Sequence, residues 1–223
     1  MYTVELEGSS EPIAVGKILC IGRNYVAHAQ EMKSDVDESP VFFLKPASAL
    51  IHDGGTILIP SISSDVHHEV ELTVLIGTGG KNISKADALS HVAGYGVGLD
   101  MTLRDVQAKA KEKGLPWTLA KGFDTSAVIS RFVPARRMPD PQAVEVELKV
   151  NGAIRQTGKT ELQIFPVKHF IWYVSQFITL ERGDLIYTGT PQGVAQVKPG
   201  DQLEAVLRNG SGQTLTSLRA KVQ

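Results

Sequence analysis

The sequence predicts a β-rich α+β fold with a few short helices. Short apolar runs recur along the chain between Gly, Pro and Asn turns. Val144-Glu145-Val146-Glu147-Leu148-Lys149-Val150 alternates with the period of two of a half-buried strand, and it runs into Asn151-Gly152, a strong hairpin signal. Helical signals are confined to brief stretches after Gly22, Ser84, Thr102 and Pro166. The 223 residues suffice for a substantial core, and 42% hydrophobic with 21% charged residues is ordinary for a globular chain. A formal net charge of -1 without a charged block argues against non-specific nucleic-acid binding, which needs a concentrated basic surface. Cys20 is the single cysteine, so no intrachain disulfide forms and a reducing compartment fits. No signal peptide opens the chain and no apolar run approaches membrane-spanning length; the expected location is the cytoplasm, with no membrane partner.

Residues 1–16 read as a short N-terminal strand and turn, ahead of a single domain over 17–223. Lys17 to Ile21 is a buried strand ended by Gly22, with Cys20 a core residue rather than a nucleophile. Arg23 to Met32 favours helix. His28 and Glu31, three apart, share a helix face, where a carboxylate orients an imidazole and raises its basicity; a general base is built this way, and so is a plain surface pair. Lys33 to Ser39 is polar, acidic and aperiodic, the pattern of a loop or lid. Val41 to Leu44 is a strand leading into Lys45-Pro46, and Thr56 to Pro60 is another.

Asp65-Val66-His67-His68-Glu69-Val70-Glu71 and the following Leu72 to Ile76 alternate as one strand. His67, Glu69 and Glu71 then share one face, opposite Val70, Leu72, Val74 and Ile76. Two carboxylates side by side repel unless a cation sits between them, and oxygen-only ligation favours a hard ion such as Mg²⁺. An exposed edge-strand face with two solvated glutamates has the same spacing. Ser84 to Asp87 reads as a capping box for a short helix to His91. Gly94, Gly96 and Gly98 lie within a strand rather than between strand and helix, which excludes a dinucleotide fingerprint and points to close backbone approach. Asp100 ends that strand as a third carboxylate.

Thr102 to Asp105 reads as a second capping box, starting a helix to Lys113 with Gly114 as its cap. Arg104 and Gln107 sit near its start, where a carboxylate ligand is favoured; Lys109, Lys111 and Lys113 read as its solvated face. Lys121 is a lone lysine in an apolar setting. Pro166 opens an amphipathic helix, Val167 to Phe177, with Phe170, Ile171, Val174 and Phe177 toward the core. Asp184 to Thr188 is a strand, and Gly189 to Gly193 offers backbone N–H groups as a carboxylate cradle or simply a tight turn. Two further strands finish the chain. Neither a serine-hydrolase elbow nor a Cys/His zinc pattern is present.

The motifs occur as an ordered set: Gly22-Arg23-Asn24-Tyr25 with His28 and Glu31; Phe43-Leu44-Lys45-Pro46; His67-His68-Glu69-Val70-Glu71; Asp100-Met101-Thr102-Leu103-Arg104-Asp105-Val106-Gln107; Pro116-Trp117-Thr118-Leu119-Ala120-Lys121; Thr188-Gly189-Thr190-Pro191. This set resembles the fumarylacetoacetate hydrolase family, in particular its short single-domain branch of acylpyruvate hydrolases and oxaloacetate decarboxylases. The resemblance implies a mixed β-roll with few helices over a catalytic domain at 17–223, and a homodimer. It implies a divalent metal, Mg²⁺ or Mn²⁺, held by Glu69, Glu71 and Asp100, with His67 and His68 outside the ligand set. His28, Glu31 and Lys121 are the implied catalytic residues, and Arg23, Arg104, Gln107 and Thr190 the implied contacts to a small keto-acid substrate. The implied reaction is hydrolysis of the C–C bond of an acylpyruvate, such as acetylpyruvate or fumarylpyruvate. The alternative is decarboxylation or keto–enol isomerisation of oxaloacetate, or isomerisation of a ring-cleavage product, at the same metal site.

Overall fold

The computed structural model describes residues 2–32 and 38–223. The lid expected over Lys33–Ser39 lies outside the described residues, apart from Glu38 and Ser39. Among the described residues strands dominate, and four short α-helices accompany them: α1 (Val26–Glu31), α2 (Arg104–Glu112), α3 (Thr118–Lys121) and α4 (Val167–Ser175).

The largest sheet is mixed. Its strands run in the order Val41–Lys45, Ile18–Gly22, Leu185–Tyr187, Val70–Ile76, Val92–Asp100, Ala127–Ile129 and Leu50–His52. Ile18–Gly22 pairs in parallel with Leu185–Tyr187, whereas Val70–Ile76 pairs antiparallel with both of its neighbours. A second, five-stranded sheet is built on the predicted hairpin. Val144–Val150 and Ala153–Lys159 pair across Asn151-Gly152, and Gln202–Asn209 and Thr214–Val222 extend the sheet.

The main core lies between the two sheets, where Leu72, Val74, Val97 and Leu99 meet Val146, Leu148, Leu203 and Leu207. The other side of the mixed sheet buries Ile18, Cys20, Leu75, Ile129, Phe132 and Tyr187 together with Val4 and Ile13 of the N-terminal strand pair. Val70–Ile76 is therefore buried on both faces, which removes the exposed-edge reading of Glu71.

The glycines of Val92–Asp100 do mark close approach. A Cβ on Gly98 would stand 2.6 Å from the Tyr187 ring, whose hydroxyl donates to the Val128 carbonyl at 2.8 Å. Gly98→Ala is expected to destabilise the fold by about 1–3 kcal/mol, the usual range for overpacking. Urea unfolding measures this; an unchanged midpoint would show that the Tyr187 ring has room to move.

Several local expectations are corrected. The stretch from Asp65 is not one strand: Val66–His68 pairs with Thr102–Leu103 and Ala195–Gln196 in a separate sheet, and the chain changes partners at Glu69. Thr102 is itself a strand residue, so it caps nothing. Its hydroxyl donates to the Asp100 carbonyl at 3.2 Å, and Leu103 precedes α2 without a side-chain cap. Ser84 bonds Asp87, but only a 3₁₀ turn over Ala88–His91 follows. The helix from Pro166 ends at Ser175, which leaves Phe177 62% exposed while Phe170, Ile171 and Val174 are buried. The strand expected over Thr56–Pro60 is Gly55–Ile57.

Candidate active site and metal centre

Two adjacent interior strands build the centre. Glu71 stands opposite Gly98 in the register, Glu69 immediately precedes its strand, and the Asp100 amide donates to the Glu69 carbonyl at 2.9 Å. The three carboxylates converge, with one oxygen from each within 4.8 Å of the others, and all three are buried. Three buried like charges are unfavourable without compensation. Lys121 Nζ lies 2.7 Å from both Glu69 Oε2 and Asp100 Oδ2, and Lys45 Nζ lies 2.7 Å from Asp100 Oδ1. Arg104 Nη2 reaches Glu69 Oε1 at 2.5 Å, and the Gly189 amide donates to Glu71 Oε2 at 2.6 Å.

The carboxyls respond differently. Burial opposes ionisation of Glu69, but Lys121 and then Arg104 outweigh it and hold the pKa well below the usual range. Glu71 is pushed well above that range by burial, then by the charges of Asp100 and Glu69. Lys45, Lys121 and Arg104 all contact Glu69 or Asp100, and among the described residues no cation contacts Glu71, whose carboxyl has only the Gly189 amide. An oxygen-only donor set with one carboxyl left without a cationic contact fits a hard divalent cation.

His28 and the substrate candidates surround this floor. A cavity is lined by Arg23, His28, Glu69, Glu71, Arg104, Gln107, Lys121 and Thr190, with Phe43 and Trp117 on its apolar side. Glu31 and Asp100 stand directly behind it: His28 Nδ1 is 3.2 Å from Glu31 Oε2, and Asp100 is bound by Lys121. The structure therefore brings together all ten side chains singled out in the sequence. Arg104 also donates to Gln107 Oε1 at 2.7 Å, and its buried Nε has no partner among the described residues. Arg23 takes a left-handed backbone, φ 57°, at the cavity wall, a conformation that costs a non-glycine residue strain.

The cradle at Gly189–Gly193 proves to hold the chain's own carboxylates, with the Gly189 amide on Glu71 and the Gly193 amide on Glu31 at 3.0 Å. Gly189 has φ 92°, and a Cβ there would lie 2.6 Å from the Asn24 Cβ. Thr190 Oγ1 donates to the Val70 carbonyl at 2.9 Å and accepts from Gln156 at 2.8 Å, so this hydroxyl ties the turn to the glutamate strand. The two histidines preceding Glu69 stay off the three converging carboxylates: His67 bonds Asp65 at 2.9 Å and His68 bonds Gln156 at 2.8 Å. Cys20 is buried, and burial, then the Asp100 charge, pushes its thiol well above the ordinary range, which keeps it an inert core thiol.

A model of the fumarylacetoacetate (FAA) hydrolase C-terminal family matches residues 17–223. The chain belongs to this family. Among its relatives is the rat protein named oxaloacetate tautomerase FAHD1, mitochondrial, 50% identical over 206 residues, which are 92% of this chain and 91% of that one. Another is oxaloacetate decarboxylase, mitochondrial, of Dictyostelium discoideum, 49% identical over 84% of this chain and 87% of the relative. The crystal structure of fumarylpyruvate hydrolase from Pseudomonas aeruginosa, in complex with Mn²⁺ and pyruvate, superposes with a TM-score of 0.91 at 38% identity, covering 100% of this chain and 96% of that one. This member of the fumarylacetoacetate hydrolase family is accordingly an enzyme. No helix among its described residues is long and apolar enough to cross a membrane.

Sequence reasoning attached no role to three buried side chains of the site. Lys45 binds Asp100 and also donates to the carbonyls of Lys121, Met101 and Ser126, tying α3 to the Asp100 end of Val92–Asp100. A lysine closing an apolar strand was the available signal. Asn24 clamps the Thr188 turn through Thr188 and Phe165 backbone groups, and Gln156 bridges His68, Val70 and Thr190. Gln156 sits in a hairpin strand whose neighbours are mostly exposed, and nothing in the local sequence distinguishes it.

Proposed function

We propose that the enzyme interconverts the keto and enol forms of oxaloacetate, with Glu69, Glu71 and Asp100 holding Mg²⁺ or Mn²⁺. The observation that carries this reading is one oriented imidazole, His28, sharing a cavity with Glu69, Glu71 and the cations Arg23, Arg104 and Lys121, with Asp100 converging on the two glutamates. The identity to named oxaloacetate tautomerases supports it. When bound, the divalent ion supplies Lewis-acid polarisation of the keto group. The chain's own residues do the rest. Arg23, Arg104 and Gln107 bind the carboxylate next to the keto group. Glu31 holds His28 through Nδ1, which leaves Nε2 to take the proton from C3 of the keto form and return it to the C2 oxygen. The reverse transfer regenerates the ketone. Lys121 has two N–H groups on Glu69 and Asp100, and the third serves the developing oxyanion.

Cleavage of acylpyruvates is the second reading, favoured by the same dyad and by the likeness to fumarylpyruvate hydrolase. His28 would take a proton from water, whose oxygen bonds to the distal carbonyl carbon. The C–C bond then breaks, its electron pair goes to C3 of pyruvate, and His28 returns the proton there. A homodimer in a reducing compartment such as the cytoplasm completes the proposal, the buried Cys20 thiol being its support for the compartment.

The test follows enol decay by ultraviolet absorbance and pyruvate release by a coupled assay, with oxaloacetate and acetylpyruvate as substrates in Mg²⁺ or Mn²⁺. Tautomerisation without stoichiometric pyruvate supports the first reading, and pyruvate from acetylpyruvate the second. His28→Ala is expected to lower kcat by about a hundredfold or more, the lower end of general acid–base contributions. A near wild-type rate in that variant would remove His28 from the mechanism.

A further inference from the structure

Lys109 and Lys111 of α2 and Lys113 at its C-terminal cap looked equivalent in the sequence, and the structure separates them. Arg104, Gln107 and Lys111 stand at i, i+3 and i+7, one stripe of the helix, and all three line the cavity, whereas Lys109 and Lys113 do not. Lys111 Nζ lies 5.2 Å from the centroid of the Trp117 ring, another wall of the cavity, so the ammonium is held at its mouth by a cation–π contact. Among the described residues Lys111 makes no salt bridge. Glu69 and Asp100 on the floor are taken up by Lys121, Lys45 and Arg104. Lys111 instead faces cations: loss of hydration, then repulsion from Arg23, Arg104 and Lys121, lowers its pKa, and Glu69 offsets this only in part. The cavity is thus polarised, with an anionic floor suited to a metal ion and a cationic rim that, among the described residues, offers no anion to Lys111.

A 2-keto monocarboxylate brings one carboxylate, which Arg104 and Gln107 can engage beside the metal site. A rim ammonium further out on the same helical stripe meets a second carboxylate only if the substrate carries one at its far end. We propose that Lys111 binds the distal carboxylate of a short 2-keto dicarboxylate and so sets the preference of this enzyme for dicarboxylic over monocarboxylic keto acids. The proposal rests on the reading of the cavity as a keto-acid site.

Two measurements test it on the full-length enzyme with Mg²⁺. In the first, KM and kcat are determined for oxaloacetate and acetylpyruvate in wild type, Lys111→Met and Lys111→Arg. The expected result is a rise of about tenfold or more in the ratio of the oxaloacetate KM to the acetylpyruvate KM for Lys111→Met, carried by KM rather than kcat, as loss of uniform binding requires. Lys111→Arg, which keeps the charge, is expected to recover part of that ratio. A ratio that does not move in Lys111→Met overturns the proposal. In the second, calorimetry compares binding of 3,3-difluorooxaloacetate, which has no C3 proton to lose, with binding of pyruvate. Selective weakening of the difluoro ligand in Lys111→Met supports the role of Lys111 even if the wild-type enzyme turns over neither substrate, an outcome that would remove only the assigned reaction. Equal weakening of both ligands, or no binding of the dicarboxylate to wild type, overturns the assignment of Lys111.

Discussion

Glu71→Ala is expected to abolish stoichiometric Mg²⁺ and Mn²⁺ binding and to lower turnover by about a thousandfold or more, since a lost Lewis acid removes several kcal/mol of transition-state stabilisation. Glu71 is the sharpest choice because its carboxyl already carries the strain of the site. Burial, then Asp100 and Glu69, raise its pKa well above the usual value, so the metal-free protein keeps a proton there at pH values where a free carboxyl has lost it. A cation must displace that proton. Metal affinity is therefore expected to rise with pH until the raised pKa is passed, and each binding event to release a proton. The sign for stability is the opposite. The protonated form of Glu71 supports the metal-free fold below the ordinary carboxyl pKa, and that support is lost as pH climbs through the raised value. Glu69, whose pKa is held down, stays ionised and contributes to neither effect above the ordinary carboxyl range. Calorimetry of Mg²⁺ binding in buffers of different ionisation enthalpy reads the proton release directly. Undiminished Mg²⁺ binding in Glu71→Ala, or a pH-independent affinity in wild type, would show that the ligand set has been drawn wrongly.

The second large effect is structural. Lys121, 3% exposed, joins Glu69 and Asp100 at 2.7 Å each. Removing one partner of a buried ion pair leaves an uncompensated charge, at a typical cost of about 3–5 kcal/mol. Lys121→Met, which keeps much of the side-chain length, is expected to lose an amount in that range in urea unfolding with metal chelated. Added Mg²⁺ is expected to recover more stability in this variant than in wild type, because a cation between the carboxylates replaces the missing charge. A loss below about 1 kcal/mol, the level of an exposed pair, would mean that solvent screens these groups.

The candidate residues differ in how much of their role could be read locally. Glu69 and Glu71 share a side at a spacing of two, His28 and Glu31 meet at a spacing of three within α1, and Asp100 ends a glycine-rich strand; each is a short-range pattern tied to backbone geometry. Lys45 is different. Its contacts are to Asp100, Lys121 and Ser126, far along the chain, and no periodicity encodes them. Gln156 likewise acts through Thr190, in the turn after Leu185–Tyr187, and His68, in a separate small sheet. Phe177 fits the apolar stripe of its helix, yet α4 stops at Ser175 and leaves it outside the core. Thr102 has the chemistry of a cap, but pairing with His67 places it in a strand first.

By itself, the sequence determined the strand-rich class, the Asn151-Gly152 hairpin, the donor types of the candidate metal centre and the His28–Glu31 spacing, because each depends on the period of a strand or helix or on a turn with local requirements. Tertiary structure alone decided that Val70–Ile76 is an interior strand, that the chain changes sheets at Glu69, and which cation meets which carboxylate. It also decided that Lys111, rather than Lys109 or Lys113, faces the cavity. Coulomb energies and desolvation depend on distance and burial, and both are set by packing between segments far apart in the chain. For that reason Glu69 and Glu71, two residues apart and alike in the sequence, shift in opposite directions: Lys121 and Arg104 hold the Glu69 pKa down against burial, and burial, then the charges of Asp100 and Glu69, push that of Glu71 up.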